Sequence, residues 1–194
     1  MRFSVIVTAH NAEKRFLKCL ESVKSQVFKD YELIIVCDNC SDNTAEIARN
    51  YTGKVIEINE ANVGKARNAG LDNATGEYVL FLDDDDWWLH EYVLTLIDRK
   101  LNNEDILCFS FIWKGVMYAK PMDNYGGKEH FVAVWNKCWK RCFIGKTRFS
   151  SRVPGEDVDF HWAMWAKNPK YTDWDMPMYY YNYMREGSIT WQNT

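Results

Sequence analysis

Apolar positions along this chain come in short runs and helical stripes that alternate. Phe3 to Ala9 is a β-rich apolar run broken by His10-Asn11. From Ala12 to Val27 the residues Phe16, Leu17, Leu20, Val23 and Val27 recur at helical spacing. Tyr31 to Cys37 reads as a second buried strand. The polar loop after it, residues 38–43, is rich in helix N-capping side chains and leads into a helix over Thr44 to Asn50. Val55 to Ile58 is a short third strand, a helix opens at Asn62 and ends near Asn73, and Tyr78 to Leu82 is a fourth apolar run. Strand and helix thus alternate with short connections. That predicts an α/β fold with a central, mostly parallel sheet flanked by helices on both faces.

After Trp88 the pattern loosens. A helix is expected over Glu91 to Leu101 and a strand over Asp105 to Trp113. Val116 to Lys128 is irregular, and Phe131 to Cys142 mixes aromatic and basic residues. Glu156 to Ala166 reads as a helix and Met178 to Met184 as a tyrosine-rich strand. With 194 residues, the chain fits one domain with a sizeable core.

Bulk composition narrows the classes. Apolar content of 47% with 26% charged residues is that of a folded soluble protein. A net charge of −3 offers no electrostatic case for nucleic acid or an anionic membrane. No apolar run reaches the roughly 18 residues of a membrane span, and the N-terminus lacks a signal-sequence pattern. A cytoplasmic protein without a transmembrane segment is expected. Cys37 and Cys40 form a C-x-x-C, and Cys138 and Cys142 are four apart, so a four-thiolate zinc site is conceivable. Reduced, partly buried thiols are the favoured reading. The tryptophans gather from Trp87 onward, which suits either an aromatic-walled cleft or an aromatic core.

The chemistry concentrates where Val79-Leu80-Phe81-Leu82 runs into Asp83-Asp84-Asp85-Asp86 and then Trp87-Trp88. A buried parallel strand that ends in four carboxylates puts anions at the sheet edge where open α/β folds bind ligands. A hard divalent cation would relieve their repulsion, and such ions commonly serve phosphate groups. The alternative is a solvated acidic turn.

Several stretches, in order, resemble family-2-type glycosyltransferases with the GT-A fold. Val5 to Glu13 is similar to that family's first strand and loop. Asp38-Asn39-Cys40-Ser41-Asp42-Asn43-Thr44 resembles its DDGSxDxT turn, and Asn62 to Gly70 its NxGxxxARNxG segment. Phe81 to Trp87 is like FLDxDDW with the Asp-x-Asp metal motif. Gly155-Glu156-Asp157 resembles the GED motif. Tyr179-Tyr180-Tyr181 with Gly187-Ser188-Ile189-Thr190 is similar to its C-terminal pattern.

The resemblance implies a Rossmann-like half to Leu101 that binds a nucleotide-sugar, and a half from residue 102 that binds the acceptor. It implies an inverting transferase that uses Mn2+ or Mg2+ and moves one sugar from a nucleoside-diphosphate sugar, with UDP expected, to a glycan or lipid-linked acceptor. Asp83 and Asp85 are the expected metal ligands, because i and i+2 in an extended segment project to one side. Asp86 is a further contact or a helix N-cap. Thr8, Ala9, His10, Asn11, Asp38, Asn62, Lys65, Arg67, Asp83, Asp84 and Asp85 line the donor. Asp38 would accept from the base, and Arg67 is either a diphosphate donor or an exposed helix arginine. Asn68 and Gly70 are read as fixing a local turn. Asp157 is the expected base, with Glu156 as its substitute or as an acceptor contact. Trp135, Asn136 and Trp87 would meet the acceptor. His161 is a metal ligand, an acceptor contact or, by preference, a packed helix residue.

Two departures from the family's processive members matter. There is no Q-x-x-R-W motif, Trp191-Gln192 being in the wrong order, so one sugar per encounter is expected. The sequence stops soon after Thr190, as a compact enzyme or a catalytic domain of something longer would. Peripheral membrane contact stays open. The rival classes are a nucleotide-sugar-binding module without turnover, and another metal enzyme such as a nucleotidyltransferase or phosphohydrolase. The latter is disfavoured by the lack of a Walker-type glycine loop.

Overall fold

The computed structural model describes residues 1–113, 117–119 and 131–182. The expectations for Gly187 to Thr190, for Trp191-Gln192, for most of Val116 to Lys128 and for the end of the Met178 to Met184 strand lie outside the described residues. In chain order the elements are β1 (Phe3–Ala9), α1 (Phe16–Lys24), β2 (Tyr31–Asp38), α2 (Thr44–Arg49), β3 (Val55–Ile58), α3 (Val63–Asn73), β4 (Tyr78–Asp83) and β5 (Trp87–Trp88). They continue with α4 (Val93–Lys100), β6 (Ile106–Trp113), β7 (Met117–Ala119), β8 (Lys137–Lys140), α5 (Arg141–Ile144), α6 (Glu156–Trp165) and β9 (Tyr171–Tyr181).

Among the described residues the strands form one sheet in the order β3-β2-β1-β4-β8-β6-β9-β5, with β7 beside β6. The first four are parallel, as the alternating pattern predicts. Beyond β4 the sheet becomes mixed. β8 runs antiparallel between β4 and β6, while β6 and β9 are parallel. The sequence reading missed β8, because Lys137-Cys138-Trp139-Lys140 carries a lysine at a fully buried strand position.

Period-two side chains divide the core between the two faces. Val5, Val7, Leu33, Ile35, Leu80 and Leu82 meet Phe16, Leu20 and Val23 of α1 and Val93, Leu94 and Ile97 of α4. Ile6, Ile34, Val36, Val79 and Phe81 meet α3 and α6 on the other face. Leu17 and Val27, expected on the buried stripe of α1, are instead 55% and 51% exposed. The helix is shorter than its pattern, so Val27 lies past its end, and Leu17 points away from the sheet.

Chain direction decides where a ligand can sit. β2 and β4 flank β1 on opposite sides, so the strand order reverses at β1. The carboxyl ends of β1, β2 and β4 therefore open a crevice at a topological switch point. Thr8 is level with Asp83 and Ala9 with Cys37 across these strands. The start of α3 closes on the segment before α6 because Gly64 has no Cβ. One added there would stand 2.3 Å from the Ser150 carbonyl oxygen and 3.3 Å from Glu156 Cβ. Gly64→Ala is expected to lower stability by about 1–3 kcal/mol, as overpacking does. Urea unfolding checks this, and an unchanged midpoint would refute the close approach.

Candidate active site

At the end of β4 the chain turns, with the Asp86 N–H donating to the Asp83 carbonyl at 3.1 Å. Asp83, Asp85 and Trp87 are half-exposed, whereas Asp84, Asp86 and Trp88 are buried. The expected alternation holds, but a hydrogen-bonded turn produces it, not an extended segment. Arg15 grips Asp84 with Nε at 2.8 Å and Nη2 at 2.9 Å, a two-pronged charge-assisted pair, and the His10 N–H adds a third bond at 3.1 Å. Burial pushes the Asp84 carboxyl up to about 6 against the pull of Arg15. Asp84 is thus buried and engaged by Arg15 and the His10 N–H. Asp86 caps no helix. It accepts from the Tyr179 hydroxyl at 2.6 Å and the Asn182 N–H at 2.8 Å, and burial holds its carboxyl well above the ordinary range. Two carboxylates are buried anchors of the turn and two, Asp83 and Asp85, are half-exposed.

Arg67 joins this turn to the start of α6. Only 5% exposed, it donates through Nη1 to Glu156 at 2.7 Å and through Nη2 to Asp83 at 3.0 Å. Burial opposes its charge, but Asp83, Glu156 and Asp157 hold the guanidinium above its usual value. The exposed helix arginine is therefore ruled out, and both terminal nitrogens are engaged within the protein. Glu156 is 7% exposed, and its other oxygen accepts from the Gly155 N–H at 3.2 Å. Asp157, half-exposed and bonded to the Val158 N–H at 2.8 Å, is the more accessible carboxylate of the pair. Burial and then Glu156 raise its pKa, with Arg67 acting against them.

Beside β2, the Asp38 carboxylate accepts three backbone N–H bonds, from Glu60 at 2.8 Å, Ala61 at 2.9 Å and Asn62 at 2.7 Å. A carboxylate has about four acceptor sites, and these three bonds leave at most one, on a residue that is 4% exposed. Asn62 caps α3 by accepting from the Lys65 N–H and donates to the Ser151 carbonyl, so its amide is spent on the scaffold. Lys65 is exposed and pairs with Glu60. Thr8 and Ala9 are buried at the end of β1, whereas His10 and Asn11 are exposed. The His10 Nδ1–H donates to the Asp38 carbonyl at 2.8 Å, and Asn11 accepts from the Ser41 N–H at 2.8 Å. Asp42 accepts from the Thr44 N–H at the start of α2 at 3.0 Å. Asn68 sits within α3 and exchanges bonds with the backbone of Phe149, while Gly70 lets Ile6 approach the helix.

Of the three expected acceptor contacts, Trp135 and Asn136 are buried and Trp87 is half-exposed. Trp135 is 5% exposed, stacked on Tyr179 at 4.5 Å and edge-on to Phe111. Asn136 is fully buried. Trp87 has Tyr180 stacked on its ring at 4.0 Å and the Lys18 ammonium 3.2 Å from the ring centroid. The Trp135 ring is thus packed into the protein, whereas Trp87 stays half-exposed. His161 is buried and stacked on Trp165 at 4.1 Å, the bland reading. The zinc idea fails. Cys37 and Cys138 lie on β2 and β8 with two strands between them, and no group of three or more metal-binding side chains occurs among the described residues. Missed altogether were Arg15 and Tyr179 as a buried hydroxyl between the Asp83 N–H and Asp86, while Lys137, in a segment resembling the one ahead of the family's acceptor site, was not foreseen as buried. Burial brings the Lys137 ammonium down to about 8, and it donates to the Ala133 carbonyl and to Asn136. Lys137 stood in the aromatic and basic stretch, where nothing marked it as buried.

The model of the family described as "Glycosyl transferase family 2" matches residues 4–165. Glycosyltransferase GlyA of Streptococcus pneumoniae is 27% identical over 97% of this chain and 31% of its own length. Putative glycosyltransferase EpsH of Bacillus subtilis is 29% identical over 79% of the chain and 51% of its own length. The chain thus spans about a third to a half of these relatives. Among solved structures, Staphylococcus aureus TarS 1-349 in complex with UDP-GlcNAc superposes with a TM-score of 0.81 at 26% identity, covering 98% of this chain and 60% of that one. A mannosyltransferase from Pyrobaculum calidifontis, in complex with GDP-Man and Mn2+, shares the fold with a TM-score of 0.77 at 17% identity, over 98% of this chain and 59% of its own.

Proposed function

The chain belongs to glycosyl transferase family 2 and has the GT-A fold, and on that premise we propose that it is a metal-dependent inverting transferase. It would move one sugar from a UDP-sugar to a hydroxyl of a glycan or lipid-linked acceptor. The UDP assignment draws on the TarS structure, which holds UDP-GlcNAc. One observation carries the reading: Arg67 ties Asp83, from the acidic turn, to Glu156, next to Asp157, at one sheet edge.

The acidic turn fits a divalent cation. Asp83 and Asp85 are both half-exposed, and Mg2+ or Mn2+ sites of this kind use one or two carboxylates and complete their shell with phosphates and water. The ion would supply Lewis-acid stabilisation of the departing diphosphate. The chain's own residues do the rest. Asp38 would take a base N–H at its remaining acceptor site. Asp157 would accept the proton of the acceptor hydroxyl as that oxygen attacks the anomeric carbon. Arg67 would hold the two motifs in register. No helix among the described residues is long and apolar enough to cross a membrane.

The test is thermal unfolding with UDP, GDP, CMP or ADP, with and without Mn2+. Native-state binding stabilises by mass action, by about 2.7 kcal/mol at roughly a hundred times Kd. A Mn2+-dependent rise with UDP is expected, and Asp85→Ala should abolish it. A rise with GDP alone would overturn the base assignment, and no rise with any nucleotide would sink the donor reading.

A further inference from the structure

Cys37 and Cys40 bracket Asp38, and the donor reading leaves their sulfurs unexplained. Cys37 is 1% exposed at the end of β2, and Cys40 is half-exposed in the loop beyond it. Both are free thiols. Cys37 is register partner to Ala9 across β1 and β2, and Cys40 packs against the same apolar cluster that holds Cys37. Cys40 in turn donates to the Ala9 carbonyl at 3.5 Å and the Asp38 carbonyl at 3.8 Å. Asn39 between them has φ +51°, a tight turn that bends Cys40 back toward β2. One thiol is thus reachable from solvent and its partner sits directly behind it, the layout of an attacking and a resolving cysteine.

We infer that Cys37 and Cys40 form a thiol–disulfide pair whose closure shuts the donor-base site. The oxidant is a small-molecule disulfide such as oxidised glutathione. The Cys40 thiolate attacks one of its sulfurs, a mixed disulfide forms and one glutathione leaves as thiolate. The Cys37 thiol then loses its proton, its sulfur attacks Cys40, and the second glutathione departs. Two cysteine thiols and one disulfide become one internal disulfide and two thiols. Of the two thiols Cys40 is lowered from its ordinary value and buried Cys37 is raised, so Cys40 is the one that attacks first. Closure draws the sulfurs to about 2.0 Å and removes the Cys40 proton, so the Ala9 and Asp38 carbonyls lose a donor. The loop at Asn39 to Ser41, docked on Asn11, must shift with it. The effect on the donor rests on the reading of Asp38 as the base contact.

Both cysteines fall in one tryptic segment, Asp30 to Arg49. Protein equilibrated with oxidised glutathione should yield that peptide lighter by a pair of hydrogens and closed to alkylation, with exposed Cys142 carrying glutathione instead. UDP with Mn2+ should bind the oxidised protein about tenfold or more weakly than the reduced protein. Cys40→Ser should bind UDP alike in both conditions. A peptide that keeps both thiols, or holds glutathione on Cys40 without closing, overturns the pair. Closure with unchanged UDP affinity overturns the gate. If reduced protein binds no nucleotide, the donor reading has failed and the gate falls with it, while the mass of the peptide still decides the pair.

Discussion

Asp157→Asn is expected to lower sugar transfer by about 10²- to 10⁴-fold, the range for losing a positioned general base. UDP·Mn2+ binding should be unchanged, because the substitution keeps volume and still accepts from the Val158 N–H. The pH profile gives a second readout. A base acts only when deprotonated, so kcat/KM should climb with pH through the Asp157 pKa. Burial and Glu156 raise that pKa from its ordinary value, with Arg67 limiting the rise, so the climbing limb should lie at higher pH than for an unperturbed aspartate. The variant should lose the limb. A variant that keeps both rate and limb would remove Asp157 from the base role. Transfer assayed with a panel of UDP-sugars, together with donor hydrolysis, provides the measurement.

Arg67→Met is expected to be the most destabilising single change, by about 3–5 kcal/mol. Breaking a buried ion pair from one side leaves charge without compensation. Here the stranded groups are Glu156 and the inner oxygen of Asp83, with Arg67 and Glu156 side chains 6% and 9% exposed. Adding Glu156→Gln to the variant removes one of these charges and should restore about 0.5–3 kcal/mol, the coupling expected for residues in contact. Denaturant unfolding of the four proteins in this cycle measures both terms. Full additivity would show that the Arg67–Glu156 contact carries no coupling. The Mn2+-dependent response to UDP should also weaken in Arg67→Met, since Asp83 loses the bond that orients it.

The N-terminal half was legible because its signals are local. The apolar run at Phe3 to Ala9, the strand before Asp38 and the strand ending at Asp83 need only their own residues and their immediate breaks to declare themselves. The carboxylates at Asp38 and at Asp83 to Asp86 were likewise visible, since a parallel α/β pattern sends strand ends to one edge, whereas Glu156-Asp157, at the start of α6, stood out only by its resemblance to the GED motif. Adjacent side chains within those clusters were not separable. Asp84 turns inward because Arg15, 69 positions away, meets it. Asp86 is held by Tyr179 across 93 positions, and Arg67 finds Glu156 across 89.

Aromatic and basic residues misled for the same reason. Trp135 reads equally well as a sugar platform or as core, and the stacking of Tyr179 from β9 makes it core. Lys137 reads as solvated until β8 inserts between β4 and β6 and closes the interior around its ammonium. The sequence by itself determined the order of strands and helices in the first half, the family and the set of acids available for chemistry, because periodicity and motif spacing are properties of neighbouring residues. Which acids face the crevice, which anchor it and which rings are left to meet a substrate were decided by the tertiary structure alone, because each depends on partners that only the packed sheet brings within a few ångströms.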